Sequence, residues 1–145
     1  MEFNIEFSEN IVKINITGAI VPETTIKMID FVLSHKMWNP GTSILVDESA
    51  MDASDISVSG VKAIAKACVR QRDKIGQAKI AIFVSRNLEY GMNRMWMVFV
   101  DEKWAAICNV FKSKKEAIAW MSVQQATVSS VAEKRGGTAY TMFRP

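Results

Sequence analysis

Histidine and cysteine are nearly absent: the 145-residue chain has one His and two Cys. A structural zinc site needs four nitrogen or sulfur ligands, and His35, Cys68 and Cys108 cannot supply them. No metal and no cofactor is therefore expected. The same scarcity limits a histidine-assisted nucleophile to His35, which sits in the helical stretch Phe31-Val32-Leu33-Ser34-His35-Lys36 without a cysteine or a serine motif beside it. Cys68 falls on the apolar side of a predicted helix and Cys108 inside a predicted strand. Both read as buried small hydrophobes of a reducing compartment rather than as a disulfide. With 3 Pro and 7 Gly the chain is neither linker-rich nor fibrous. No apolar run reaches the roughly 18 residues of a membrane span. Met1-Glu2-Phe3-Asn4 lacks a basic region followed by an apolar stretch, so no signal peptide is expected and the location reads as cytoplasmic. A large charge of one sign is missing too. The net charge is +3, from 18 Lys plus Arg against 15 Asp plus Glu. Lys62, Lys66 and Arg70 interleave with core positions rather than aromatics, so a nucleic-acid partner is not expected. Phosphate-loop, dinucleotide, H-E-x-x-H and G-x-S-x-G motifs are all absent. The chain does not read as an enzyme.

What is present is an ordinary globular balance, 49% hydrophobic and 23% charged, over a length that suits one domain. Phe3, Ile5 and Phe7 alternate with polar residues, and so do Val12, Ile14 and Ile16. Two such strands around the turn Ser8-Glu9-Asn10 predict an antiparallel hairpin ended by Gly18. Pro22 opens a helix in which Ile26, Ile29, Leu33 and Met37 recur, and Asn39-Pro40-Gly41 stops it. Ser43-Ile44-Leu45-Val46-Asp47 and Lys79-Ile80-Ala81-Ile82-Phe83-Val84-Ser85 are continuous apolar runs, the pattern of strands covered on both faces. A second helix carries Val61, Ile64, Ala65 and Cys68 and closes at Gly76. A third starts at Asn87, read as its cap, with Glu89 set against the helix dipole. Residues 105–111 form a fifth strand, and the capping box Ser113-x-x-Glu116 starts a fourth helix with Ala117, Trp120 and Met121 facing in. The expectation is an α/β single domain over residues 1–128. It is a five-stranded mixed sheet with an N-terminal antiparallel hairpin followed by β-α units. A loosely held tail is expected over residues 129–145.

The third helix has more apolar surface than one stripe. Leu88, Met92, Met95 and Phe99 make one row; Trp96, Met97 and Val100 make another. Three readings follow: burial on two sides within the monomer, a ligand pocket wall, or a homodimer interface including Trp96, Met97, Val100 and Trp104. Gly91 in its first turn suggests close approach of backbone or ligand. In open α/β sheets ligands collect beyond the carboxyl ends of the strands. That places Asp47, Glu48, Asp52, Asp55, Ser57 and Ser59 opposite Arg86, Asn87, Tyr90 and Arg94 in a cleft of mixed charge. Asp47 and Glu48 are a poor acid-base pair, because adjacent strand residues point to opposite faces.

Ile16-Thr17-Gly18, Ile44-Leu45-Val46-Asp47, Lys79 to Val84, Tyr90-Gly91-Met92-Asn93-Arg94-Met95 and Val110-Phe111 with Glu116 to Met121 together resemble a known group. It is the bacterial STAS-like proteins related to the anti-sigma-factor antagonist SpoIIAA, in the branch similar to CRAL-TRIO lipid-binding domains. The resemblance spans about residues 5 to 121 and implies a non-catalytic β-α superhelix. Regulatory members carry a phosphorylated serine in Asp-Ser-Ser-Gly-Leu at the start of the second helix. Here that stretch is Ser57-Val58-Ser59-Gly60-Val61, and the acceptor position is a valine. The resemblance implies an interaction or regulatory module with a protein partner. The alternative is a small-molecule or lipid carrier, its pocket under the third helix, for an apolar or anionic ligand. The binding candidates are Asp47, Ser57, Ser59, Tyr90, Gly91 and Arg94. A small enzyme using Asp47 and Arg94 is the remaining reading.

Overall fold

The computed structural model describes residues 1–123. The tail expected over 129–145 and the domain end expected at 128 lie outside the described residues.

The hairpin pairs β1 (Glu2–Phe7) with β2 (Ile11–Ala19), with Phe3 opposite Ile16 and Phe7 opposite Val12. β2 does not stop at Gly18. Thr17, Gly18 and Ala19 continue beside Ala50, Met51 and Asp52 of β3 (Ser43–Asp52), after a register shift between Asn15 and Thr17. β3 is thus longer than its apolar run. β4 (Lys79–Phe83) and β5 (Ile107–Phe111) extend the sheet in parallel, in the order β1-β2-β3-β4-β5.

Right-handed crossovers between strands added in sequence put the connecting helices on one face. α1 (Pro22–Ser34), α2 (Val58–Arg70) and α4 (Asn87–Val100) share one core with the sheet, through Met28 and Val32, Val61 and Ile64, and Met92 and Val100. α3 (Arg72–Ile75) is a single turn that buries Ile75. α5 (Lys114–Ser122) covers the other face, where Ala117 and Met121 meet Leu45 and Ala81. Its start is the expected cap, with Ser113 Oγ accepting from Glu116 N at 3.2 Å.

Two junctions depend on local chemistry. α1 ends at Ser34 and leaves Met37 exposed. Trp38 is buried in its place, its indole N–H donating to the Lys74 carbonyl at 2.7 Å. At Gly60 an added Cβ would stand 3.0 Å from both Ile56 Cγ1 and Pro22 Cγ. The glycine lets the first turn of α2 sit against the start of α1.

Candidate functional site

The pleat of β3 sets the site. Ile44, Val46 and Glu48 are successive even positions on the face covered by α1, α2 and α4, whereas Leu45 and Asp47 face α5. Glu48 therefore occupies a core position and is buried. Its Oε1 accepts from Asn93 Nδ2 of α4 at 2.7 Å, and the same nitrogen donates to the Glu89 carbonyl at 2.9 Å. Glu89, one turn earlier, is only 1% exposed. Its Oε2 accepts from the Ala53 amide at 2.8 Å and from Arg86 Nη2 at 2.5 Å, and its Oε1 accepts from Arg86 Nε at 2.8 Å. Arg86 also reaches Asp52 Oδ1 at 3.2 Å. A continuous polar chain thus runs from the buried Glu48 to an exposed Arg86–Asp52 pair at the strand ends.

The two buried carboxyls are tuned in opposite directions. Burial pushes the Glu48 carboxyl up to about 7, assisted by the charges of Glu89 and Asp47 and opposed by the Asn93 hydrogen bond. The Arg86 guanidinium holds Glu89 below the usual carboxylate range, against its own desolvation and with help from the Ala53 amide. Burial pushes the Cys68 thiol up to about 12, and Cys108 rises as well, by burial and by the neighbouring Cys68 and Glu48. Neither thiol has thiolate character for nucleophilic work.

Glu48, Asn93 and Thr25, whose hydroxyl donates to the Val21 carbonyl, form the polar part of a cavity of about 130 Å³ between the sheet and the three helices. The rest of its wall is apolar, with Ile14, Val46, Ile64, Ile82, Met92 and Trp104 among the lining. Trp96 lines it too, and its indole N–H is buried with no hydrogen-bond partner among the described residues. The indole N–H lowers the Cys68 thiol against the larger effect of burial, yet by distance and angle it makes no hydrogen bond to that weak acceptor. Buried indole N–H groups nearly always find an acceptor, as that of Trp38 does. Among the described residues no group of three or more His, Cys, Asp or Glu is placed to hold a metal ion. No helix among them is long and apolar enough to cross a membrane.

The residues singled out from sequence scatter. Asp47 is not at a strand end but inside β3, on the α5 face, where Ser49 donates to it at 2.6 and 2.9 Å and Lys114 lies at 3.5 Å. It cannot join the cavity or work with Arg94, which is exposed and makes no ion pair among the described residues. The strand-end carboxylate is Asp52 instead. Ser57 caps α2, accepting from Gly60 N at 3.0 Å; Val58 and Ser59 are exposed beside it. Tyr90 is half-buried under the Lys112 ammonium, 5.9 Å from its ring centre. Asn87 does not cap α4: it is the first helical residue, and its side chain accepts from Lys112. Of the proposed interface, Val100 is 2% exposed in the core, so it cannot belong to a two-fold contact. Trp96 and Trp104 are half-buried, packed edge to face at 5.5 Å, and both line the cavity; Met97 packs half-buried against the core. The open face of α4 carries Leu88 and Val98 instead.

At Gly91 no atom of the described residues lies within 4 Å of where a Cβ would be, so the expected close approach of backbone is not found there. Gly91→Ala is therefore expected to raise stability by about 1 kcal/mol, the helix-propensity difference, read as a higher midpoint in urea unfolding. Destabilisation would mean that the backbone there meets something after all.

No family model and no curated protein matches the chain. Among solved structures it is similar to an uncharacterised protein of the DUF3478 family with a SpoIIAA-like fold, from Shewanella loihica PV-4. The TM-score is 0.53 at 18% identity, over 82% of this chain and 91% of that one. The fold is SpoIIAA-like. Within this SpoIIAA-like architecture the cavity is walled by α1, α2 and α4, and the exposed Arg86–Asp52 pair sits at the carboxyl ends of β3 and β4.

Proposed function

We propose that the chain is a non-catalytic binding module that holds a small molecule in the cavity beneath α4. The observation that carries this reading is the unpartnered N–H of Trp96, a residue that lines the same mostly apolar cavity as Glu48 and Asn93. Pockets for drug-sized ligands run to about 300–1,000 Å³. A cavity of about 130 Å³ suits a much smaller occupant and is too small for an acyl lipid. The raised thiols supply no nucleophile, and the second buried carboxyl, Glu89, is tied to Arg86 rather than paired with Glu48, which supports binding without chemistry.

The hydrogen-bonded chain from Glu48 through Asn93 and Glu89 to Arg86 supports a second layer to this reading. An occupant that rearranges Glu48 would alter the Arg86–Asp52 surface, so the module would report its occupancy to a protein partner there. Benzene tests the cavity itself, because an apolar cavity of about 150 Å³ is known to take it. In an NMR titration, benzene should shift the amides of Ile64, Ile82, Met92 and Asn93 first. An unchanged spectrum at benzene saturation would remove the cavity as a site.

A further inference from the structure

Resting on the cavity reading above, we infer that the occupant is a compact, electrically neutral ring compound carrying one hydroxyl group. Size sets the first limit. At about 130 Å³ the space is close to the one that admits benzene, roughly 150 Å³. Charge sets the second. No Lys, Arg or His lines the cavity, so an anion would meet the Glu48 carboxyl with no counter-charge. A cation would find that carboxyl, but it would bring donors to a site whose unmet need is an acceptor for the Trp96 N–H.

Hydrogen bonding sets the third limit. Trp96 follows Asn93 by three residues, so the orphan donor and the Asn93–Glu48 pair share one face of α4. A hydroxyl is the smallest group that serves both: its oxygen accepts from Trp96 Nε1, and its hydrogen goes to the Glu48 carboxyl. A hydrocarbon would leave the indole unsatisfied, and an ether or ketone would answer only the indole. The Trp96 and Trp104 rings, edge to face at 5.5 Å, offer an aromatic wall for the ring of the ligand.

The test uses phenol, benzene, benzoate and benzylammonium with the full chain, titrated by calorimetry at pH 7. Phenol should bind at least as tightly as benzene, although a hydroxyl buried without partners would make it bind more weakly. Trp96→Phe keeps an aromatic ring and removes the N–H. It should lower phenol affinity about tenfold while changing benzene affinity by less than about threefold. Phenol binding more weakly than benzene overturns the inference, as does either ion binding more tightly than phenol, or Trp96→Phe weakening phenol and benzene alike. Benzene bound with phenol excluded would overturn this inference and leave the cavity reading standing; failure of both ligands overturns the two together. Should Trp96→Phe not fold, the comparison of phenol with benzene on the natural chain decides alone.

Discussion

Glu48→Gln should leave stability almost unchanged at pH 4 and raise it by about 3 kcal/mol at pH 8. The carboxyl is held at about 7 in the folded chain, against an ordinary value of 4.5. A raised native value means that the folded state keeps the proton longer than the unfolded state does. Stability from this group is therefore complete below about 4.5, falls as pH rises toward 7, and stays low above it. At about 1.4 kcal/mol per pH unit, the interval amounts to about 3 kcal/mol. Glutamine has no charge to desolvate, and its Oε1 can accept from Asn93 as Glu48 does. The Glu89 and Asp47 charges help to raise Glu48, so the relief of their repulsion is part of the gain. Urea midpoints of variant and natural chain between pH 4 and 8 give the result directly. Parallel curves would mean that water reaches the Glu48 carboxylate.

Glu89→Ala should cost about 3 kcal/mol at neutral pH. The side chain is 1% exposed and holds both the Ala53 amide and the Arg86 guanidinium. Its loss leaves the amide without an acceptor, which costs about 1–3 kcal/mol. It also removes a charge-assisted, two-point pair. Arg86 is half exposed, so water takes up part of the guanidinium's loss, and the cost stays near the lower end of the about 3–5 kcal/mol seen for broken buried pairs. The pH dependence runs opposite to that of Glu48. A lowered native value gives stability that is present above the ordinary carboxylate range and is lost as pH falls through it. The penalty of Glu89→Ala should therefore shrink in acid. A loss below about 0.5 kcal/mol at pH 7 in denaturant titrations, the size of an ordinary surface change, would show that Arg86 and Ala53 are satisfied without it.

The β-α order was legible because the signals were local. The hairpin announced itself by alternation in Phe3, Ile5, Phe7 and Val12, Ile14, Ile16. The inner strands announced themselves as unbroken apolar runs, and the last helix by Ser113 and Glu116. The reach of β3 was not legible. Ala50, Met51 and Asp52 are held extended by Thr17, Gly18 and Ala19 of β2, beyond a register shift at the polar Glu48 and Ser49, a pairing that propensity does not encode. That error moved the strand end from Asp52 back to Asp47. The site was half visible. Glu48 continues the even positions of Ile44 and Val46, and Asn93 follows Glu89 by one helical turn. Either spacing could have flagged a polar group aimed into the core. The double apolar stripe of α4 was visible, but sequence alone could not tell a second copy from the chain's own core, to which Val100 belongs.

Each strand of the sheet pairs only with its neighbours in the chain. During synthesis the hairpin can close first, and every later β-α unit then finds its docking edge already made. No strand has to slot between two partners that formed before it. Loop closure is met one crossover at a time, which keeps the entropy of each step small. A chain cut back from its C-terminus would lose β5 and expose β4 as a new edge, while the pairing from β1 to β4 stayed intact. Assembly in chain order suits a domain that emerges from the ribosome hairpin first.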